Sequence, residues 1–337
     1  MPKRESRWAR KNPFASALTR HDIQMKTGLI SHTDCFGHVP HDGHPESPER
    51  LRAVLAALDG PDFADLVREE APRADREALL AAHDAAHVDA VLGSLADEAR
   101  RNGLALIDAD TVMSAGSREA ALRAAGAVVR AVDRVAAGEL KNAFCAVRPP
   151  GHHAPADRAM GFCLFNNVAI GAFHARKIRV SERIAVIDFD VHHGNGTEDI
   201  FWNDANLFYA STHQSPLYPG TGSANERGVA QNILNVPLTP YSGGDAFRAA
   251  MSNVILPAME SFKPDFIFIS AGFDAHKSDP LAQLEFTESD FGWATARICE
   301  LAKKACKGRV VSTLEGGYDL DALGRSAAAH VRALMEA

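Results

Sequence analysis

Six short apolar runs are the feature of this chain that most constrains its fold. They are rich in Val, Ile and Phe and show no strict alternation of apolar and polar residues. Strands that are buried on both faces of a parallel sheet have this composition, because helices cover each face. The runs are Ala143–Val147, Ile184–Asp190, Leu207–Thr212, Ile233–Leu238, Phe266–Ala271 and Val310–Leu314.

Helical patterns lie between the apolar runs. Leucine and valine recur at helical spacing over residues 51–58, behind Ser47 and Pro48, a capping residue followed by proline at the first helical position. Thr287 with Asp290 resembles a capping box at the start of a second helix. The alternation of strands and helices predicts an α/β fold, with a mainly parallel sheet that carries helices on both faces.

The first 24 residues differ in composition from the rest of the chain. They contain six basic and two acidic residues and lack the apolar segment of a secretory signal. We interpret residues 1–24 as a basic N-terminal extension, either disordered or upstream of a start at Met25, with an organelle transit peptide as the alternative. No Gly/Ser/Pro-rich linker divides the remainder, so residues 25–337 are expected to form one domain.

The charge and cysteine content narrow the class of protein. A net charge of -7 argues against broad nucleic-acid binding, which needs a basic surface. No apolar run approaches the roughly 20 residues that span a bilayer. The five cysteines are scattered and form no C-x-x-C pair, which favours free thiols in a reducing compartment. We therefore expect a cytoplasmic protein without a nucleic-acid or membrane partner, and homo-oligomers stay open.

Residues with metal-binding chemistry follow two of the predicted strands. Asp188, Asp190 and His192 alternate at the end of the second run, so they project from one face, and Asp274 follows the fifth run. Ligands of open α/β sheets bind at the carboxyl ends of strands. Three ligands, Asp190, His192 and Asp274, would leave open positions, as a catalytic zinc requires. The alternatives are a solvated loop or a metal-free Asp–His pair, and for Asp274 a helix cap.

A histidine pair and a tyrosine follow two further runs. His152 and His153 come after a rigid Pro-Pro-Gly segment, and Tyr318 follows paired glycines. Adjacent imidazoles in a confined site have separated pKa values, which suits one of them as a general base. A phenol could stabilise an oxyanion. A surface histidine pair and a packed turn tyrosine are the alternatives. Together with the metal set, these residues indicate metal-assisted hydrolysis of a carbonyl compound.

Four of these segments, with two others at residues 44–51 and 161–163, together resemble a known family. They are His44–Leu51, Arg148–His153, Gly161–Cys163, Asp188–Gly196, Ser270–Asp274 and Glu315–Tyr318. Their residues and order resemble the histone deacetylase family, most closely its class II and bacterial branch. The resemblance runs from about residue 27 to the C-terminus. It implies the arginase-deacetylase fold, with a parallel sheet of about eight strands.

The resemblance implies a role for each matching catalytic residue. His153 would be the general base and acid, His152 its electrostatic partner, and Tyr318 the donor to the substrate carbonyl. Asp188 would orient His152. Asn195 would contact His153 through a neutral hydrogen bond, where class I relatives carry an aspartate, and this difference is expected to shift the pKa of His153.

The resemblance also implies a tunnel for the acylated side chain. Gly161 and Phe162 would line it, and Leu281 would lie at its rim. Leu217 stands where many relatives carry a second phenylalanine, so we expect that wall to be less aromatic. Arg50 resembles the arginine of an inner acetate channel, and a solvated helix arginine is the alternative.

Two kinds of metal ion are expected from the same resemblance. Zinc (Zn²⁺) would bind the three ligands named above, with Fe²⁺ or Co²⁺ as substitutes, because aspartate and histidine suit all of them. Relatives also bind potassium (K⁺) through the zinc-bearing strand. The corresponding residues are Asp188, Asp190, His192, Ser211 and Thr212.

The predicted function is a zinc-dependent deacetylase that acts on N-acetylated amines, above all N-ε-acetyl-lysine, in a peptide or small molecule. An acetylpolyamine amidohydrolase with the same mechanism is the nearest alternative. Polyamine-selective relatives tend to use an acidic rim residue, and Leu281 is not acidic, although Asp108 or Asp110 could supply a carboxylate. A non-catalytic acyl-lysine binding protein is disfavoured, because the full catalytic set is present.

Overall fold

Ten strands form the sheets of the structure, a computed structural model that describes residues 25–337. The predicted extension at residues 1–24 lies outside the described residues. The strands are β1 (Thr27–Ser31), β2 (Val67–Glu70), β3 (Leu104–Leu106), β4 (Val112–Ser114), β5 (Asn142–Cys145), β6 (Ile184–Asp188), β7 (Leu207–Gln214), β8 (Ile233–Leu238), β9 (Phe266–Ala271) and β10 (Val310–Leu314).

Eight of these strands build one central sheet in the order β2-β1-β5-β10-β9-β6-β7-β8. Every neighbouring pair in this sheet is parallel. Strands β3 and β4 pair antiparallel in a separate hairpin. The parallel α/β sheet is confirmed, and six of its strands overlap the six apolar runs, although β5 begins one residue before its run and β7 continues two residues past its run.

Strands β1 and β2 were not predicted from an apolar run. The predicted runs at β5 and β6 each extend two residues past the end of the strand. In β2, at the edge of the sheet, partly buried and exposed residues alternate, because an edge strand that is covered on one side needs no continuous apolar sequence. Strand β1 is buried but contains Gly28 and is flanked by polar residues. Strand β6 ends at Asp188 rather than Asp190, so the last two residues of that run leave the sheet.

Helices flank the sheet. Pro48 opens the first helix after Ser47, as predicted. The backbone N–H of Thr287 donates to Oδ2 of Asp290 over 2.9 Å, which confirms the predicted start of the helix Glu288–Cys306. The described α-helices are α1 (Pro48–Ala57), α2 (Arg76–Leu80), α3 (Ala85–Asp89), α4 (Leu95–Asn102), α5 (Ser117–Ala136), α6 (Asn167–Lys177), α7 (Asn195–Phe201), α8 (Gly244–Ala250), α9 (Leu256–Phe262), α10 (Glu288–Cys306) and α11 (Leu320–Glu336).

The core of the protein lies between the sheet and these helices. Strands β5, β6, β9 and β10 are buried along their whole length. Helix α5 packs against β1, β5 and β10, and α10 packs against both α11 and β9. Within residues 25–337, no helix has the length and apolar character needed to cross a membrane.

Candidate active site

Four neighbouring strands end directly before the predicted motifs. In the sheet they follow one another as β5, β10, β9 and β6. Because the strands are parallel, the segments that follow them meet at the same edge of the sheet. The topology therefore brings together the histidine pair, the tyrosine and the three predicted metal ligands, which are far apart in sequence.

The predicted metal ligands form one buried cluster. Asp190, His192 and Asp274 each offer a ligand atom, and these atoms lie within 4.8 Å of one another. Nδ1 of His192 is 3.1 Å from both Oδ1 of Asp190 and Oδ2 of Asp274. Among the described residues, no lysine or arginine forms an ion pair with either carboxylate. Two buried carboxylates with an imidazole fit a divalent cation such as zinc, iron or cobalt.

Backbone N–H groups hold both carboxylates in place. The N–H groups of His192 and Gly316 donate to Oδ1 and Oδ2 of Asp190, over 2.9 and 2.8 Å. The N–H of Val191 donates to Oδ1 of Asp274 over 2.9 Å. These bonds favour the ionised form of each carboxylate and fix its orientation.

Two glycines make room for these carboxylates. A Cβ atom at Gly272 would lie 2.0 Å from Oδ2 of Asp190. A Cβ atom at Gly316 would lie 2.0 Å from Oδ2 of Asp274. Any side chain at either position would displace a ligand, so both glycines belong to the site.

The two histidines of the pair have different partners. Nδ1 of His152 lies 3.0 Å from Oδ2 of Asp188, and Nδ1 of His153 lies 2.8 Å from Oδ1 of Asn195. Burial opposes the charged form of His152, but the carboxylates of Asp190 and Asp188 outweigh it and raise the pKa of His152 to about 10. Burial, with the neighbouring charge on His152, lowers the pKa of His153 well below its usual value. The two pKa values of the pair are therefore pushed apart, towards the cation at His152 and the neutral imidazole at His153.

Tyr318 is held close to a buried arginine. The guanidinium carbon of Arg50 lies 4.8 Å from the centre of the Tyr318 ring. Arg50 is fully buried and donates from Nε to the carbonyl oxygen of Gly317 over 2.6 Å, so the solvated-arginine alternative is wrong. Burial raises the pKa of Tyr318 well above its usual value, which keeps the phenol protonated as a donor.

One cavity of about 220 Å³ connects these groups with the predicted tunnel residues. Gly161, Phe162, Leu217 and Leu281 all contribute to its wall, as expected. Its lining consists of Asp110, Pro150, His152, His153, Gly161, Phe162, His192, Leu217, Tyr218, Leu281, Gly316 and Tyr318.

The expectation that one tunnel wall is less aromatic is wrong. Tyr218, the residue after Leu217, lines the cavity, and its ring centre lies 5.1 Å from that of His153 in an edge-on contact. Phe162 supplies a further aromatic side chain, 6.0 Å from the ring of Tyr318. In the sequence, the Tyr-Pro-Gly turn directly after Leu217 could have indicated that Tyr218 lies on the cavity wall.

A carboxylate borders the cavity at Asp110. Its position is fixed, because its carbonyl oxygen lies 3.0 Å from Nε2 of His44, and Thr111 Oγ1 donates to its carboxylate over 3.2 Å. Thr111 also accepts from the backbone N–H of Phe162 over 3.1 Å. Burial and the neighbouring Asp108 raise the pKa of Asp110. An acid is therefore present at the cavity, although Leu281 is apolar.

Two of the predicted potassium residues, Asp190 and His192, belong to the cluster of predicted metal ligands. Ser211 on β7 pairs in register with Asp188 on β6, and its hydroxyl oxygen lies 2.9 Å from Nδ1 of His213. Thr212 follows it and is buried. Potassium binding at these residues stays a prediction from the sequence.

Two residues without a predicted role support the histidine pair. Oε2 of Glu315 accepts from the backbone N–H groups of Gly151 and His152, over 2.7 and 3.2 Å. The hydroxyl of Tyr209 donates to Oδ2 of Asp188 over 3.2 Å. The position of Glu315 directly after a strand could have predicted its place in the site. The sequence around Tyr209 is typical of a buried strand and gives no such indication.

The site combines two buried carboxylates, an imidazole, a histidine pair and a tyrosine at one cavity. This combination, on a parallel α/β sheet, defines a metal-dependent amidohydrolase. Residues 44–334 match the histone deacetylase domain. The chain belongs to the histone deacetylase family, and deacetylase activity is expected of it.

Relatives and a solved structure agree with this assignment. The chain is 41% identical over 345 residues to histone deacetylase 14, chloroplastic, of Arabidopsis thaliana, with 96% of this chain and 80% of that protein covered. It is 40% identical to the histone deacetylase-like amidohydrolase of Pseudomonas aeruginosa, over 82% of this chain and 73% of that one. A crystal structure of the HDA15 HD domain superposes with a TM-score of 0.86 at 34% identity, over 92% and 88% of the two chains.

Proposed function

We propose that this deacetylase hydrolyses the terminal acetamide of a slender aliphatic amine, foremost N-ε-acetyl-lysine in a peptide. The observation that carries the proposal is the cavity lined by Phe162 and Tyr218, which also reaches His153 and His192. Burying one methylene contributes about 0.8 kcal/mol, so the lysine arm would gain roughly 3 kcal/mol before any polar contact.

A divalent ion on Asp190, His192 and Asp274 is part of this proposal, with zinc as the expected ion and iron or cobalt as substitutes. When bound, the ion supplies Lewis-acid polarisation of the acetyl carbonyl and lowers the pKa of the attacking water. The chemistry of the donor set supports this assignment, because the two carboxylates are buried without a lysine or arginine partner in the described residues.

His153 is proposed as the general base and then the general acid. Its Nδ1 is engaged by the amide oxygen of Asn195, so this nitrogen carries the proton and Nε2 has the free lone pair. Nε2 takes a proton from water as the hydroxide oxygen bonds to the carbonyl carbon. It returns a proton to the amine nitrogen as the C–N bond breaks, which yields acetate and the free amine.

Two further groups are proposed to stabilise the charge that develops. The phenol of Tyr318 donates to the carbonyl oxygen, which gains negative charge as the tetrahedral carbon forms. His152, kept cationic beside Asp188, stabilises the same negative charge without giving up its proton.

An acetylpolyamine is the second candidate substrate, and Asp110 favours it. A polyamine carries a further cation beyond the acetamide, and a carboxylate at the cavity could pair with that cation. The apolar Leu281 spoke against polyamines in the sequence, where Asp108 or Asp110 was named as the acid that could reverse this preference, and Asp110 does line the cavity.

Side-by-side kinetics would decide between the two substrates. We expect kcat/KM to be higher for acetyl-lysine peptides than for N-acetylputrescine and N-acetylspermidine, with metal content measured in the same sample. Asp110→Asn should be compared with Asp245→Asn, a control at an exposed carboxylate that does not line the cavity. A preference for acetylpolyamines that disappears in D110N but survives in D245N would replace acetyl-lysine with the polyamine.

A cytoplasmic location is also proposed. Its support is the set of five cysteines, all buried and free, and the 38% identity to a probable deacetylase of the archaeon Archaeoglobus fulgidus. Homo-oligomer formation and the lack of a nucleic-acid partner stay predictions from the sequence.

A further inference from the structure

Asp279 joins the rim of the cavity to the loop that carries Tyr318. Its Oδ2 accepts hydrogen bonds from the backbone N–H groups of Tyr318, over 2.7 Å, and of Asp319, over 3.4 Å. Its Oδ1 accepts from the backbone N–H of Leu281 over 3.0 Å. One carboxylate therefore bonds both a residue of the tunnel rim and the candidate oxyanion donor.

The carboxylate of Asp279 is committed to these backbone groups. The residue is 7% exposed, and no lysine, arginine or histidine in the described part of the chain forms an ion pair with it. Burying a carboxylate without a counter-ion is costly unless hydrogen bonds compensate. Both oxygens of the Asp279 carboxylate accept a backbone N–H. An asparagine amide has only one acceptor oxygen, so its NH₂ group would face one of these backbone N–H donors.

The loop before Tyr318 is held at its glycines, by Asp190 at Gly316 and by Arg50 at Gly317, and Asp279 is what holds the backbone of Tyr318 itself. Gly316 and Gly317 precede the tyrosine, and Gly317 has a φ of 123°, which a residue with a side chain rarely adopts. The ring of Tyr318 packs near Arg50 and Phe162. The bond from Asp279 is thus a direct constraint on the backbone position from which the phenol extends.

We propose that Asp279 is a positioning residue for deacetylation, which holds the Tyr318 phenol at a fixed place relative to Leu281 and the rim. This inference rests on the proposed role of Tyr318 as oxyanion donor. A small displacement of such a donor weakens transition-state stabilisation far more than substrate binding. Asp279 would act through Tyr318 and would not touch the substrate.

The main test is Asp279→Asn, assayed with an acetyl-lysine peptide on metal-replete enzyme. We expect kcat to fall about 10-fold or more, as for a weakened oxyanion donor, while KM changes much less. Metal content should stay close to that of the wild type, and Tm should fall by no more than a few degrees, as for one opposed buried backbone donor. Asp75→Asn is the control for the Asp-to-Asn change itself. Asp75 accepts one backbone N–H at the start of α2, outside the cavity lining, and the asparagine amide oxygen can still accept it, so kcat should stay unchanged.

A double-mutant cycle separates positioning from a general structural role. In a Tyr318→Phe background, Asp279→Asn should cause little further loss of kcat, because the group it positions is already gone. Equal losses in both backgrounds would overturn the inference. If Y318F itself keeps normal kcat, the proposed role of Tyr318 fails and the positioning role fails with it. If Y318F is impaired but D279N is normal, the positioning role alone fails.

A measurement on the wild type covers the case in which D279N does not fold. Hydrogen exchange of the Tyr318 backbone amide reports directly on the bond to Asp279. We expect this amide to be protected in the wild-type enzyme. Exchange at the rate of an unbonded loop amide would overturn the inference without any variant.

Discussion

Nδ1 of His153 lies 2.8 Å from an amide oxygen of Asn195, whereas Nδ1 of His152 lies 3.0 Å from a carboxylate oxygen of Asp188. Two adjacent imidazoles, with ring centres 4.0 Å apart, thus face partners of different charge. The carboxylate favours the cation at His152, and the amide only fixes the tautomer of His153. The difference between the partners therefore pushes the two pKa values apart, upward at His152 and downward at His153.

Replacing Asn195 with aspartate tests this separation. A carboxylate beside Nδ1 would stabilise the His153 cation and raise its pKa. Because the base must be neutral in the free enzyme, the acidic limb of the kcat/KM profile should move to higher pH, by about one unit or more. Metal content serves as the control. An unchanged limb, or one that moves to lower pH, would contradict the assignment of His153 as the base.

Removal of the metal should abolish activity. Chelation is expected to stop turnover, and added Zn²⁺, Fe²⁺ or Co²⁺ should restore it, because the ion is needed to activate both water and carbonyl. Asp190→Ala and Asp274→Ala should each lose activity together with bound metal, measured by elemental analysis. Full turnover in a sample shown to be metal-free would refute the proposed mechanism.

Tyr318→Phe should keep the fold and the metal but lower kcat about 10²-fold or more, as for loss of one oxyanion donor. The ring remains, so its packing against Arg50 and Phe162 should persist. Tm and metal content are the controls. Near-normal kcat on an unactivated acetamide would mean that another group donates to the carbonyl oxygen.

His330 should make the fold sensitive to acid. Its two ring nitrogens lie 2.6 Å from Thr295 Oγ1 and 2.8 Å from Ser312 Oγ, and burial lowers its pKa to about 3. The unfolded chain binds this proton near pH 6.5, but the native chain does not until pH falls to about 3. The contribution of neutral His330 is therefore complete above pH 6.5 and declines towards pH 3, by up to about 1.4 kcal/mol per pH unit.

His330→Gln removes this titration and offers a direct comparison. Urea unfolding at a series of pH values between 7 and 4 should show a shallower loss of unfolding free energy in the variant. The slopes are compared rather than the absolute values, since glutamine also changes the packing. Equal slopes would show that His330 is protonated in the native state or does not titrate separately.

The parallel sheet and most of the chemistry were predictable from the sequence, for a common physical reason. Buried parallel strands need continuous apolar sequence, and the polar residues that follow them then stand out, as Asp190 and Asp274 do. Strand β2 was not predictable in this way, because its alternating residues lie at the sheet edge.

Contacts that depend on three-dimensional proximity were not predictable from local sequence. Asp279 bonds Tyr318, a residue 39 positions away, through backbone N–H groups that have no sequence signature. The position of Tyr218 on the cavity wall depends on how the Pro-rich turn directs two consecutive side chains. Asp110 reaches the cavity because the hairpin of β3 and β4 lies beside Phe162.

The backbone donors that hold Asp190 and Asp274 have a consequence for metal exchange. Oδ1 and Oδ2 of Asp190 and Oδ1 of Asp274 are oriented by N–H groups of the fold itself, without help from an ion. Little conformational entropy remains for these carboxylates to lose when a cation enters, so the folded chain would offer a preformed site, and the bound ion would then add to the stability of the fold. Which ion occupies such a preorganised site then follows from its own ligand preference and its supply in the cell, more than from the shape of the protein.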